Sequence, residues 1–422
     1  MLKGCYGHDR RLSCLAQFDH SIYDRFLMST PATVGVGLVG CGFAATFHAE
    51  AYRRVHGIDV RLQAVCSRQR DKAQVFAQQH GIPSIHGDLD QLLADDQVDL
   101  VDVCVPNRFH EETVIAALQS GKRVSVEKPF TGSFDPARNA DDWHRCLDEA
   151  LASADRIRKA EYESGNPLMY AENWCYSPGV QKAKRLLAAA DTPILRMVGE
   201  ESHSGTHSNY AVQWQYSGGG ALNNKGCHLI GAAVYLKYEE GLRRLGKRIR
   251  PQWVTGIVGH LTRSEAFTSK SDHVIRTGWE ECEDWGTAIL GFDDGTVAQI
   301  SGADTVVGGI QNILSIYAAR ACIHVNLNPN DALLAYSPTD AEFADEYIRE
   351  KVETKAGWQF SNPDEDWMNG FPNEAQDFCE VVATGREPMI GSFLARDVTA
   401  VVYAGYLSAA LGRRVDVPID EE

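Results

Sequence analysis

Four groups of residues have the types and spacing to do chemistry. Lys128 lies in Glu127-Lys128-Pro129. A lysine held by a following proline and paired with a carboxylate can give a proton or a hydrogen bond to a substrate oxygen, although the same triplet also reads as a surface ion pair. His228 closes the run Gly218-Gly219-Gly220-Ala221-Leu222-Asn223-Asn224-Lys225-Gly226-Cys227-His228. A glycine turn there opens a helix, Asn224 and His228 share one helical face, and an imidazole can act as acid or base near neutrality. A capping asparagine beside a satisfied histidine fits the same spacing. The third group is Gly40-x-Gly42-x-x-Ala45, which ends an apolar run from Val34 and leads into a helical pattern. This is the turn a dinucleotide pyrophosphate requires, with Gly40, Gly42, Phe43 and Ala44 as the expected contacts. The fourth, Val105-Pro106-Asn107-Arg108-Phe109-His110, follows a strand-like run. Pro106 fixes a bend, and Asn107 and His110 offer polar groups to a ribose or nicotinamide; a simple strand-ending turn is the alternative.

These residues need a frame that brings them to one edge. From 34 to about 127, strand-like and helix-like patterns alternate: strands at 62–66, 98–105 and 123–126, and helices at 71–80, 88–94 and 111–120. Such alternation gives a doubly wound parallel sheet, whose ligands bind at the carboxyl ends of the strands. Residues 143–164 form a longer amphipathic helix, and 168–171 add a strand. Beyond 172 the texture changes to serial strands at 194–200, 253–260, 285–292, 297–303, 312–318 and 321–327, with Asp293-Asp294-Gly295-Thr296 as a hairpin signal. This is an α+β domain on an open antiparallel sheet. Helices return near 373–383 and 397–411, the last expected to pack back on the first domain. The expected division is 1–30 as an N-terminal extension, 31–171 as a doubly wound nucleotide-binding domain and 172–422 as a second domain, to which the resemblance described below gives the substrate and oligomerisation roles.

The cofactor can be narrowed. An acidic residue about 20 positions beyond the glycine motif would bind the ribose 2′-OH of NAD. Here the second strand ends in Val65-Cys66-Ser67-Arg68. A hydroxyl and a guanidinium suit a 2′-phosphate, so the expectation is NAD(P), leaning to NADP, with Ser67 and Arg68 as contacts. NAD held through backbone groups is the alternative. On the substrate side, Trp174, Tyr176, His203, His207, Tyr210, Trp214 and Tyr216 crowd one stretch, and Trp279, Trp285, Trp358 and Trp367 follow. Aromatic faces suit the C–H faces of sugars, so Trp174, Tyr176, His203 and Trp214 are the expected substrate contacts. Glu201-x-His203-x-x-x-His207 has metal-capable side chains in a glycine-containing stretch and is read as a polar lid; no metal is expected.

Composition excludes several classes. A net charge of −16 with no basic run argues against nucleic acid or an anionic membrane as partner. No apolar stretch approaches the ~20 residues of a membrane span. The 11 cysteines show no C-x-x-C pair and read as reduced, buried residues of a cytoplasmic protein. Residues 1–30 carry basic residues but no continuous apolar core, so a secretory leader is not expected, and Met28 is a candidate start.

Taken in register, Gly40-Cys41-Gly42, Pro106-Asn107-x-x-His110, Glu127-Lys128-Pro129 and Gly218-Gly219-Gly220 leading to Gly226-x-His228 resemble the Gfo/Idh/MocA family of NAD(P)-dependent oxidoreductases. The resemblance runs from about Val34 to the C-terminal helix. It implies a Rossmann domain, an open sheet that mediates a homodimer or homotetramer, and a sugar, polyol or glycoside substrate. It also implies that Lys128 contacts the reacting hydroxyl and His228 exchanges its proton beside the nicotinamide, with Asn224 in the catalytic set. Asn224 stands where the family often has Asp, and it can neither act as a base nor raise the His228 pKa by its charge. Lys225 stands where an apolar residue is commoner. The leading expectation is hydride transfer between a ring hydroxyl and a ketone. The alternative is a redox-neutral glycosidase or lyase with tightly held NAD(H), using an extra base such as Tyr176 or His203.

Overall fold

The computed structural model describes residues 32–137, 139–206, 208–276, 281–328 and 331–420. The expected extension over 1–30, His207 and Trp279 lie outside the described residues. The first sheet contains β1 (Thr33–Val39), β2 (Asp59–Cys66), β3 (Ser84–His86), β4 (Leu100–Val103), β5 (Arg123–Glu127) and β6 (Leu168–Ala171). They run in the order β3-β2-β1-β4-β5-β6, every pair parallel. Helices cover both faces, so β1, β4 and β5 are buried almost throughout; Val34, Val36 and Leu38 of β1 are apolar, while β4 buries the polar Asp102 and β5 the polar Ser125 and Glu127. The order reverses between β1 and β4, which opens a crevice at their carboxyl ends.

The second sheet contains β7 (Ile194–Ser202), β8 (Pro251–Gly259), β9 (Trp285–Phe292), β10 (Val297–Ala303), β11 (Gln311–Ala318), β12 (Cys322–Asn328) and, at its edge, β15 (Val415–Asp416). The order is β12-β11-β7-β10-β9-β8-β15. The expected hairpin at 293–296 joins β9 to β10. The sheet is mixed rather than wholly antiparallel, because β7 and β10 pair parallel. The helix Cys227–Leu245 is the reason: it carries the chain away from β7 before β8, β9 and β10 return as a meander. A small hairpin of β13 (Leu334–Ser337) and β14 (Gly357–Phe360) was not foreseen.

The two sheets are joined by the helix Ser392–Leu411, which packs on the Ala140–Ser164 helix of the first domain. Trp143 stacks on Tyr406 at 5.0 Å between ring centroids. The nine described cysteines are free thiols, and no described helix is long and apolar enough to cross a membrane.

Candidate active site

A cavity of about 990 Å³ runs from the carboxyl edge of the parallel sheet into the space beneath β7 and the Cys227–Leu245 helix. Its near end is the glycine turn. Gly40 has φ +113°, a conformation L side chains rarely adopt, and its backbone lies against the Cys104 carbonyl. At Gly42 an added Cβ would meet no protein atom within 4 Å, so the backbone at the head of the Phe43–Tyr52 helix faces open cavity. That open approach at a helix N-terminus fits a pyrophosphate. Phe43, Ala44, Ser67, Arg68, Pro106 and Asn107 line the same end, together with Lys72, which the sequence reading did not pick out. The Arg68 guanidinium lies 4.8 Å from the centre of the Phe109 ring, which holds it at the mouth.

Glu127 ends β5. Its Oε2 accepts the Lys128 backbone N–H at 2.9 Å and its Oε1 meets His48 Nε2 at 2.8 Å. His48 also bonds Asp102 at 2.8 Å. Burial works against a charge on His48, but Asp102 and Cys104 outweigh it and raise its pKa well above the usual value, so a buried imidazolium braces the strand end. The Lys128 side chain reaches across the cavity, and its Nζ donates to the Asn224 carbonyl at 3.1 Å. Burial alone would lower its pKa, yet Cys227, Glu127, Glu201 and Glu172 together raise it, so Lys128 stays an ammonium and a proton donor.

Asn224 and His228 line the far end. They do not share one regular α-helix: Asn224 lies on a π-turn, Leu222–Gly226, and His228 lies in the first turn of the helix proper, which begins at Cys227. Such turns recur at functional sites because they re-aim side chains. The Asn224 amide donates to the Gly219 carbonyl at 3.0 Å. His228 Nδ1 lies 2.5 Å from Glu172 Oε1. Burial, then Lys128 and Lys225, lower the His228 pKa well below 6.5, so the ring is neutral at pH 7. Burial raises Glu172 well above the carboxylate range against the pull of Lys128.

Beside them stand Glu201 and His203 at the end of β7, with Asn173, Trp174, Tyr210, Asn312 and Glu350. Glu201 is buried with no hydrogen-bond partner at Oε2, and burial pushes its pKa up to about 8 despite Lys128 and Lys225. The Lys225 ammonium is taken up by Asp304 at 2.5 Å.

Three expected site residues sit elsewhere. His110 is fully buried outside the lining, with Nε2 2.9 Å from the Val105 carbonyl and Nδ1 3.0 Å from that of Pro129. It fastens two strand-end loops together rather than meeting a cofactor. Tyr176 donates its hydroxyl to Asp377 at 2.9 Å and packs on Phe378. Trp214 donates to the Ser133 carbonyl at 3.0 Å and packs against Trp143 and Tyr406. Both are core residues, because each satisfies its polar atom inside the protein. Trp174 and His203 do line the cavity, and Trp174 lies 5.7 Å from the His228 ring. Glu172 was missed as a site residue, and Glu201, read from the sequence as part of a polar lid, lines the cavity. Glu172 carried one signal, its place at the carboxyl end of the last parallel strand.

Residues 34–150 match the sequence model of a family described as an oxidoreductase family with an NAD-binding Rossmann fold. D-glucoside 3-dehydrogenase of Escherichia coli is 29% identical over 208 residues, which cover 49% of this chain and 55% of that protein. D-apiose dehydrogenase of Paraburkholderia graminis is 28% identical over 159 residues, covering 37% of each. The chain spans about half the length of the curated relatives it matches. Among solved structures, GenD2 from gentamicin A biosynthesis, in complex with NAD, superposes with a TM-score of 0.76 at 24% identity over 93% of this chain and 98% of that one. Levoglucosan dehydrogenase in complex with NADH gives 0.68 at 19% identity, over 92% and 99%. The matched residues 34–150 hold three of the four motifs in register, so the Rossmann domain of this chain is similar to that of the Gfo/Idh/MocA oxidoreductases.

Proposed function

We propose that the protein is a cytoplasmic NAD(P)-dependent dehydrogenase that interconverts a ring hydroxyl and a ketone of a sugar, polyol or glycoside. One observation carries this reading. A protonated lysine and a neutral histidine meet at the far end of a cavity whose near end is shaped for a dinucleotide. Bound nicotinamide supplies the hydride acceptor or donor. Lys128 steers the substrate oxygen and stabilises charge on it, while His228 Nε2 takes the hydroxyl proton on oxidation and returns it on reduction. Trp174 offers a sugar a face, and Asn173, Asn224 and Asn312 offer it hydrogen-bonding groups. Turnover of purified protein with a panel of sugars and glycosides, run in parallel with NAD and NADP and followed by nicotinamide absorbance, tests the proposal. No change with any secondary alcohol or ketone would overturn it.

Within that reading NADP is favoured, because Arg68 and Lys72 place two cations at the ribose end beside Ser67. Arg68→Ala is expected to raise the KM for NADP about tenfold and leave that for NAD within about twofold; equal effects would remove the preference. The outer face of the second sheet exposes Leu195, Ile257, Ile289 and Ile313, which supports a homo-oligomer built on that face. Sedimentation as a monomer would refute it. The redox-neutral glycosidase or lyase reading gains support from Glu201, a buried carboxyl group with a free oxygen in the same cavity. Glycoside cleavage with no net absorbance change would favour that reading.

A further inference from the structure

We propose that Glu172 completes the acid/base pair: when His228 Nε2 takes the proton of the substrate hydroxyl, the proton on Nδ1 passes to the Glu172 carboxylate. This rests on the oxidoreductase reading above. It supplies the carboxylate that position 224 lacks, and supplies it from β6 instead of from the histidine's own helix.

Placement comes first. Glu172 directly follows β6 and is fully buried, with Oε1 2.5 Å from His228 Nδ1. The helix opposite is cut away to admit it: an added Cβ on Gly231 would lie 2.9 Å from Glu172 Cγ. Gly231 is one turn beyond His228, so the notch and the imidazole share a face of the helix. Asn224 cannot take this part, since its amide is spent on Gly219. With Nδ1 bound to the carboxylate, Nε2 is the nitrogen left for the cavity that His228 lines.

The surroundings then decide where a proton rests. Lys128 at the end of β5 and Lys225 on the π-turn both act against an imidazolium. Glu172 Oε2 has no hydrogen-bond partner among the described residues; Glu127 from β5 adds negative charge near it, and Glu201 from β7 adds its own only above about pH 8. Cys227, Tyr170, Cys175 and Glu374 are further titratable groups around the pair. Because burial lifts the Glu172 pKa, the relay runs in the ionised fraction of Glu172, which grows as pH rises; a carboxylate so poorly solvated is a strong proton acceptor, whereas a second cation beside two lysines is costly. The imidazole therefore stays neutral before and after the step and exchanges one tautomer for the other. On oxidation the substrate O–H bond breaks and Nε2–H forms, while Nδ1–H breaks and a carboxyl O–H forms at Glu172. The hydride leaves carbon with its electron pair for the oxidised nicotinamide. Loss of one proton to solvent restores the starting pair, and reduction runs the same bonds backwards. Glu172 acts only through His228 and is a positioning residue.

The test joins kinetics to a measurement that needs no substrate. Glu172→Gln is expected to lower kcat about 10²-fold and leave the KM for cofactor within about twofold. Glu172→Asp, which keeps the charge, should recover about tenfold of that loss. In mixtures of light and heavy water the wild-type rate should curve as two protons move, and that of Glu172→Gln should be linear. A linear wild-type response, a Glu172→Gln kcat within about threefold of wild type, or a loss with the curvature intact would each overturn the proposal. Nitrogen NMR of His228 in the cofactor-free protein separates this failure from failure of the dehydrogenase reading. On acidification the ring should change tautomer without becoming an imidazolium, and formation of an imidazolium would overturn the relay whatever the substrate.

Discussion

Among single residues, Lys128 and Glu201 meet the same cavity with opposite answers to burial. Lys128 keeps its proton because four acidic or thiol groups surround it. Lys128→Ala should therefore lower kcat by about 10²-fold or more with little change in unfolding free energy, and undiminished activity would remove it from the mechanism. Glu201 keeps its proton because burial holds its pKa near 8 against an ordinary 4.5. The folded protein then binds a proton that the unfolded chain releases. Stability from this group is complete below about pH 4.5 and is lost as pH rises to about 8. Glu201→Gln should gain on wild type by on the order of 3 kcal/mol between about pH 5 and about pH 9, read from urea midpoints. An unchanged difference across that range would show that Glu201 is ionised throughout. Lys128 and His228 were legible in the sequence because each sits in a local motif. Glu172 was not, since its partner is 56 positions away, and Tyr176 was misplaced because its partner is 201 away. Residue type alone does not say whether a tyrosine spends its hydroxyl on a ligand or on the core.

For the elements, alternation of strand and helix was enough to read the parallel sheet, because its inner strands β1, β4 and β5 are buried on both faces. The parallel β7–β10 pair was not legible: serial strands look the same whether or not a helix reverses one of them. Nor was the π-turn, which keeps the residue spacing of a helix while changing where the side chains point. What holds that turn comes from the far end of the chain. Tyr403 on the Ser392–Leu411 helix donates to the Gly218 carbonyl at 2.5 Å and accepts the Ser133 N–H at 2.8 Å. Tyr406 donates to Glu283, whose oxygens accept the Gly220 and Leu222 N–H groups, both at 2.9 Å. Tyr403→Phe strands a buried carbonyl and a buried N–H together. It should cost about 1–3 kcal/mol in urea unfolding and lower kcat through the loosened turn. Wild-type stability and rate in that variant would show that the loop holds itself.

At the scale of the whole molecule, one charge network with Arg250 and Asp397 at its buried centre links the Ala140–Ser164 helix to the head of β8, and nothing in the sequence pattern announces it because its members come from five separate segments. Arg250 at the start of β8 donates to both Asp397 oxygens, at 2.8 and 2.6 Å, and reaches Asp420 at 2.8 Å. Tyr238 donates to Asp397 at 2.5 Å, and Arg158 of the first domain also pairs with Asp420. Arg396 bonds Asp155 on that same first-domain helix at 2.9 Å. Asp397 is fully buried, so its charge is tolerable only while Arg250 faces it. Arg250→Leu leaves an uncompensated carboxylate at the junction and should cost about 3–5 kcal/mol. Removing both charges, as Arg250→Leu with Asp397→Leu, should cost less than the sum of the two single changes, since neither partner is then stranded. Because the network ties the Ala140–Ser164 helix to the second sheet, the loss should lower one common unfolding transition rather than split it. Urea unfolding followed by backbone and by tryptophan signals checks this. Two separated transitions in the wild-type protein, or additive costs in the double variant, would mean that the helix Ser392–Leu411 holds the domains together by apolar packing and that the buried charges couple nothing across the junction.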